Sequence, residues 1–328
     1  MTEPSGLKLA LKRGALVALG NWPLALVQFV AESVFKIVLA VPVVGGMLLV
    51  TLIAGDAIGP LAPMDLRERV AVIAGSLLEA PAALASFVVA FGLALMGGSA
   101  LLFLVKGGVV AVMAESEAAA GPIERVPLRW DAVARAARWT IEGFLDGCSR
   151  LFPRYMRLGL VLIAVYTASG SAYAALMLVG FSASTHPAVL LVWALFAAVV
   201  SGALLVWITI VNFLYLLTQV IIAVEDVGVR EAMQRVVGFL RGAFREVTGI
   251  FGILLLLGVL AIAASLLATA GLGLISFVPF AGLAVIPLQI AAWLIRGLVF
   301  QYLSLTALGA YLSEYRAFTG RATKLRIA

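Results

Sequence analysis

Residues 158–224 read LGLVLIAVYTASGSAYAALMLVGFSASTHPAVLLVWALFAAVVSGALLVWITIVNFLYLLTQVIIAV, sixty-seven positions without one Asp, Glu, Lys or Arg and with a single histidine, His186. As one helix at ~1.5 Å per residue this stretch would be roughly 100 Å long, about three times the ~30 Å hydrocarbon thickness of a bilayer. It must therefore fold back, and the small and polar cluster at 182–187, ending in Pro187, is where a turn fits. On its N-terminal side lie Arg150, Arg154 and Arg157, and Glu225 closes it. An arginine-rich segment, an apolar hairpin and a closing acid are thus the local plan.

Composition extends that plan to the whole chain. Mean hydropathy is +1.13, 63% of the 328 residues are hydrophobic and 12% are charged, about half the charge of an ordinary soluble domain. A single integral membrane domain over 1–328 is expected, with six spans, short connections and no room for a sizeable soluble domain. The one cysteine, Cys148, excludes an intrachain disulfide and a Cys-based metal cluster, and reads as a small apolar helix residue.

Charge-free runs locate the spans. The first lies within 22–55, entered at Trp22 and Pro23; its core is ambiguous, because Pro42 with Gly45 and Gly46 offers a place to break the helix. The second begins at Pro81, and its apolar run continues past Lys106 to Ala114. The third and fourth occupy 158–181 and 189–224. The fifth and sixth occupy 247–278 and 283–312, joined at 279–282. Several runs exceed the ~20 residues a perpendicular helix needs, so these helices tilt or extend beyond the bilayer.

Six spans place eighteen of the 23 basic residues on one side, Arg67 and Arg69 on the other, and three inside spans. By the positive-inside rule both termini, including a tail at 316–328, are cytoplasmic, in the inner membrane of a bacterium. The basic start reads as an uncleaved anchor.

A threefold pattern organises the chain: approximate units 1–115, 127–225 and 226–315, each an interfacial amphipathic helix followed by a helical hairpin. The closing acids are Glu115, Glu225 and Glu314, each preceded by an aromatic in the apolar run. Loop 56–80, with its own amphipathic stretch at 65–78, is an insertion in the first unit. In 226–247, Val229, Met233, Val236, Val237, Leu240, Phe244 and Val247 recur at helical spacing, with Arg230, Gln234, Arg241 and Arg245 opposite. In 130–152 the polar face carries Asp131, Arg135, Arg138, Glu142, Asp146 and Ser149, and the apolar one Ala134, Ala137, Ile141, Leu145, Cys148 and Phe152. Such helices lie in the interface with arginines toward lipid phosphates, which makes Arg135, Arg138, Arg230, Arg241 and Arg245 candidate headgroup contacts. They equally serve to fix topology and cover the cytoplasmic ends of the bundle.

Residues 223–250, AVEDVGVREAMQRVVGFLRGAFREVTGI, resemble the recurring interfacial segment of bacterial multi-pass proteins similar to the membrane domain attached to some glycerophosphodiester phosphodiesterases. The resemblance implies a six-helix membrane module. The phosphodiesterase domain is not in this sequence, so its hydrolysis does not carry over.

An ionisable side chain within a span is costly and marks a structural pair or a site. Four fall there: Glu32, Lys36, Lys106 and Arg296. Glu32 and Lys36 stand four apart and can pair locally. Arg296 lies eighteen residues before Glu314, near mid-membrane, and elimination pairs it with Glu32. The positive excess of the cluster reads as a pocket for an anionic amphiphile, such as a phospholipid or polyprenyl phosphate; alternatively Lys36 and Lys106 snorkel to the interface and Glu32 with Arg296 is a structural pair.

Other chemistry fails on residue types. With one histidine, in a turn, there is no Ser-His-Asp triad, His-Cys metal site or HExxH. Gly97, Gly98, Gly107, Gly108, Gly271 and Gly273 are spaced for helix packing and form no phosphate loop. Asn212, Gln219, Gln289 and Gln301 suit interhelical hydrogen bonds. No enzymatic activity and no cofactor are expected. Nucleic acid is not an expected partner, because the arginines flank spans. Two functions remain: a non-enzymatic protein that binds or organises anionic lipid or assists a membrane complex, partnered by a membrane protein or a second copy of itself; and a transporter or flippase for an anionic lipid or amphiphile. The first is the expectation.

Overall fold

The structure is a computed structural model and describes residues 6–53, 75, 80–124, 130–183, 186–276 and 281–327. The chain is all-α. Among the described residues nine helices follow one another: α1 Gly6–Gly20, α2 Trp22–Ile53, α3 Pro81–Ala119, α4 Trp130–Ala136, α5 Ile141–Ala183, α6 Pro187–Glu225, α7 Val229–Gly242, α8 Phe244–Ser276 and α9 Ala281–Ile327. The order short, long, long recurs three times. Six of them, α2, α3, α5, α6, α8 and α9, are long and apolar enough to cross a membrane. They run from 32 residues in α2 to 47 in α9, or about 48–70 Å, so every one outreaches a ~30 Å hydrocarbon layer. The chain is a multi-pass membrane protein.

The helices fall into two compact units, 1–28 with 106–328, and 29–105. In the smaller one α2 and α3 pack through glycines. A Cβ on Gly98 would meet the ring of Phe35, and one on Gly46 the ring of Phe87. The first span is therefore one unbroken helix, with Pro42, Gly45 and Gly46 all inside it. That settles the ambiguity of the first span in favour of a continuous helix, and Gly46 is the place where an aromatic seats.

The core of the larger unit sits where the hairpins return. Residues 109–114 of α3, 220–222 of α6 and, on α9, Leu305, Leu308, Ala310, Tyr311, Leu312 and Tyr315 are buried. Around them lie Val17 and Ala18 of α1, Ala136 of α4, Leu151 and Tyr155 of α5, Ala232 and Phe239 of α7, and Val247 and Ile250 of α8, all nearly inaccessible. The remainder of the spans is apolar and open: Val199 and Leu267 are 71% and 75% exposed. In water that surface would aggregate; against acyl chains it is matched.

Close backbone approach lets the short helices into this core. Gly14 of α1 lies against α9, where a Cβ would stand 2.5 Å from the Thr306 carbonyl oxygen and 2.6 Å from the Ala310 nitrogen. Gly107 and Gly108 of α3 face Gly147 and Cys148 of α5 in the same way. A Cβ on Gly97 or Gly271 would meet nothing within 4 Å, so the close packing expected there does not hold at those two positions.

Two expectations about the polar segments are corrected. The 130–152 stretch is not one interfacial helix: α4 ends at Ala136, residues 137–140 are irregular, and α5 then runs from Ile141 through Pro153 into the span. The break is fixed by Asn21, fully buried between α1 and α2. Its side-chain nitrogen donates to the carbonyls of Val17 (2.9 Å) and Ala136 (3.1 Å), and its oxygen accepts from Ser116 (3.2 Å) and from the Arg138 backbone nitrogen (3.0 Å). All the hydrogen-bonding capacity of one amide ties the ends of α1, α3 and α4 together. Nor is 226–247 one helix: α7 ends at Gly242, Ala243 leaves the helical conformation, and Phe244 opens α8. Residues 316–327 form the last turns of α9, with Phe318 packed on Phe239 at 5.4 Å between ring centroids. Loop 56–80 with its amphipathic stretch, apart from residues 75 and 80, and residues 279–280 of the turn lie outside the described residues.

Candidate functional site

Acids close each hairpin, and each is held by arginine. In the first repeat the paired acid is Glu117 and not Glu115, which points outward. Glu117, its side chain 4% exposed, accepts from Arg13 of α1 at 2.8 Å and from Arg316 of α9 at 2.5 Å, and Arg13 reaches Glu124 at 2.8 Å as well. Burial alone would lower the Arg13 pKa, but the nearby carboxylates outweigh it and the guanidinium is held above its ordinary value. In the second repeat Glu225 pairs with Arg235 of α7 and accepts from the Tyr315 hydroxyl. In the third, Glu314 pairs with Arg321 at 2.7 Å. Asp226, in the left-handed conformation that ends α6, takes a bidentate contact from Arg154, and that hydrogen bond holds its carboxyl below the usual range.

These pairs orient α7. Its buried stripe is Ala232, Val236 and Phe239, continuing to Ala243. Met233, Val237 and Phe244 are exposed although apolar, and Arg230, Arg241 and Arg245 are exposed beside them. Within α7, at ~100° per residue, Met233 and Val237 stand ~40° apart, and Arg230 and Arg241 are centred roughly 50° further round, away from the protein; Phe244 and Arg245 belong to the first turn of α8. The apolar face read from the sequence is thus divided: half is covered by the bundle and half is open. Arg135 and Arg138 are also exposed, near Trp130, Ile141 and Leu145, which are 58–70% exposed.

Of the four intramembrane charges, Glu32 and Lys36 fall in the smaller unit and Lys106 and Arg296 in the larger. Glu32 pairs with Lys36 at 3.9 Å, one helical turn apart on α2, in the smaller unit. Lys106 is half-buried on α3, just before the glycines that face α5. Arg296 belongs to the larger unit. It lines a groove of about 650 Å³ between α8 and α9, where its guanidinium donates to the Ser265 hydroxyl at 3.4 Å, and among the described residues of its own unit no acid lies within ion-pair distance.

The second repeat explains why that arginine stands out. Trp207 lies eighteen residues before Glu225, as Arg296 lies eighteen before Glu314, and the Trp207 indole donates to the Ser169 hydroxyl of the preceding helix at 3.0 Å. A neutral donor meeting a serine is enough to join the two arms of a hairpin. The guanidinium in the third repeat adds a charge that this role does not need. The α5–α6 hairpin is joined further by Tyr166 donating to Asn212 (2.7 Å) and by Tyr173 with Ser201 (2.8 Å), so Asn212 does make the expected interhelical bond. His186 is a helix cap, its Nδ1 accepting from the Ala188 backbone at 3.4 Å.

Sequence reading missed Asn21, Glu117 and the two serines, Ser169 and Ser265. A serine in a span gives no signal alone; its place against a donor eighteen residues before the closing acids of the second and third repeats does. No family model, curated protein or solved structure matches this chain, so its function is read from the geometry of its own residues.

Proposed function

We propose that this chain is a non-enzymatic protein of a bacterial inner membrane, both termini cytoplasmic, that binds and organises anionic lipid on the cytoplasmic leaflet. The observation that carries the reading is the open half of α7 together with the first turn of α8, where Met233 and Val237 run beside Arg230 and Arg241, and Phe244 stands beside Arg245. An apolar stripe next to a basic one, both facing away from the protein, suits a helix lying in the interface with acyl chains under one stripe and phosphates beside the other. The arginine distribution along the sequence supports the same side. So does the likeness of 223–250 to the interfacial segments of membrane domains attached to some glycerophosphodiester phosphodiesterases. A membrane-protein partner or a second copy fits this role too.

Native mass spectrometry after mild extraction tests it. The wild-type protein is expected to retain anionic phospholipid over neutral lipid. Each basic residue near an anionic surface contributes about 1 kcal/mol, so replacing Arg230, Arg241 and Arg245 by Gln lowers that retention by up to a hundredfold before salt screening. Equal retention of neutral and anionic lipid by the wild type refutes the reading. The alternative, a transporter or flippase for an anionic amphiphile, is favoured by one observation, the mid-span position of Arg296. Movement of labelled anionic lipid between leaflets of proteoliposomes, abolished by Arg296→Gln, would establish it.

A further inference from the structure

We infer that the α8–α9 groove is a binding site for a single-chain carboxylate, a long-chain fatty acid, with its headgroup on Arg296. This rests on the reading that the protein holds anionic amphiphiles, and adds a second site of different chemistry. Charge, depth and shape select the ligand. Between Glu246 and Glu314 Arg296 is the one charged residue, so the groove matches a single negative charge and offers no second cation for a phosphate dianion. The guanidinium fork binds a carboxylate through two parallel hydrogen bonds, and the Ser265 hydroxyl, already at 3.4 Å from it, supplies a further donor. Arg296 stands about 21 Å along the helix from Gly282 and about 27 Å from Glu314, near the middle of the span. A fatty acid reaches such depth in its neutral, protonated form and ionises against the arginine. A two-chain phospholipid carries its charge permanently and must drag it from the interface.

The remaining wall takes a chain. Ala264, Ala268 and Ala292 keep the groove open, while Val299 and Phe300 give it an apolar side. Its volume of about 650 Å³ lies within the ~300–1,000 Å³ typical of small-ligand sites. The structural role shown by Trp207 and Ser169 in the preceding repeat leaves the Arg296 charge available for the ligand.

The test is equilibrium binding of labelled palmitate to the full-length protein in nanodiscs of neutral lipid, with methyl palmitate and phosphatidylglycerol as competitors. Palmitate is expected to bind and methyl palmitate not to compete. Arg296→Gln should weaken binding at least tenfold. Ala264→Trp, which fills the groove and leaves the charge in place, should weaken it similarly, and both variants should elute as the wild type does in size-exclusion chromatography. Retained palmitate affinity in both variants overturns the assignment, as does competition by phosphatidylglycerol equal to that by palmitate. The Arg230, Arg241 and Arg245 replacements leave palmitate binding unchanged if this site is separate, so loss of lipid retention on α7 and loss of palmitate binding here are distinguishable failures.

Discussion

Replacing Glu117 by Gln probes the ionic junction of the core. The carboxylate is 4% exposed and holds two guanidiniums, Arg13 at 2.8 Å and Arg316 at 2.5 Å. Gln keeps the shape but loses the charge, and places an NH2 group where one arginine now donates. Breaking a buried pair from one side costs about 3–5 kcal/mol, since the remaining charge is left without its counterion. Here the lower end applies. Arg13 retains Glu124 at 2.8 Å, Arg316 retains the Ala114 carbonyl at 2.9 Å, and the Arg316 side chain is partly open to solvent. A loss of about 3 kcal/mol corresponds to a fall of roughly 5–10 °C in the thermal midpoint of the detergent-solubilised protein. The control is Glu231→Gln, which breaks an exposed contact with Arg235 and is expected to cost about 1 kcal/mol or less. Midpoints from size-exclusion chromatography after heating decide it. A Glu117→Gln protein within about 1 °C of wild type, or one no less stable than Glu231→Gln, refutes the placement of that junction in the core.

Gly14→Val puts side-chain carbon where 2.5 Å separates a Cβ from the Thr306 carbonyl, so it should destabilise by several kcal/mol or detach α1, whereas Gly170→Ala, with open space around it, should be silent in the same heating assay. Asp226 has its folded pKa depressed, so the contact with Arg154 contributes stability that is present above the ordinary carboxylate value and lost as pH falls through the depressed one. The difference in midpoint between wild type and Asp226→Asn is therefore small but positive at neutral pH, the side chain being 57% exposed, and disappears once acidification has protonated the carboxyl; a difference that grows on acidification contradicts it. Reporter fusions after Ala120, His186 and Ala328 should place the first and third inside and the second outside; an outside location for Ala120, or the two termini on opposite sides, excludes the six-span arrangement.

The spans were legible because exclusion of charge from hydrocarbon acts on every residue of a run, and no local choice can override it. The repeat was legible for the same reason, since each basic segment, hairpin and acid is a pattern of charge. What escaped depends on phase and partner. Glu115 and Glu117 are equally good closing acids in the sequence, and the packing of α3 on α5 at Gly107 and Gly108, with Arg13 of α1 and Arg316 of α9 facing Glu117, decides between them. The seven apolar residues of 226–247 define a broad face, but which half is covered depends on Phe239 meeting Tyr315 and Phe318 of α9, eighty residues away. Elimination pairs Arg296 with Glu32 on charge alone and gives no weight to neutral partners, so it could not point to the serine hydroxyl that the guanidinium meets on the adjacent helix. Pro42 looked like a break, yet a helix of 32 residues has enough other hydrogen bonds to carry it.

The most direct test of the central claim is the depth of α7 in a membrane. Nitroxide labels on Met233→Cys, Val237→Cys, Gln234→Cys and Gly238→Cys, one at a time in the full-length protein, can be compared for collision with oxygen and with a water-soluble nickel complex; the native Cys148 is buried. In bilayers containing anionic lipid, labels at 233 and 237 should meet oxygen in the acyl phase, and those at 234 and 238 the nickel complex. Equal exposure of all four to the aqueous reagent, unchanged between neutral and anionic bilayers, would contradict a helix that lies on and reads the anionic leaflet.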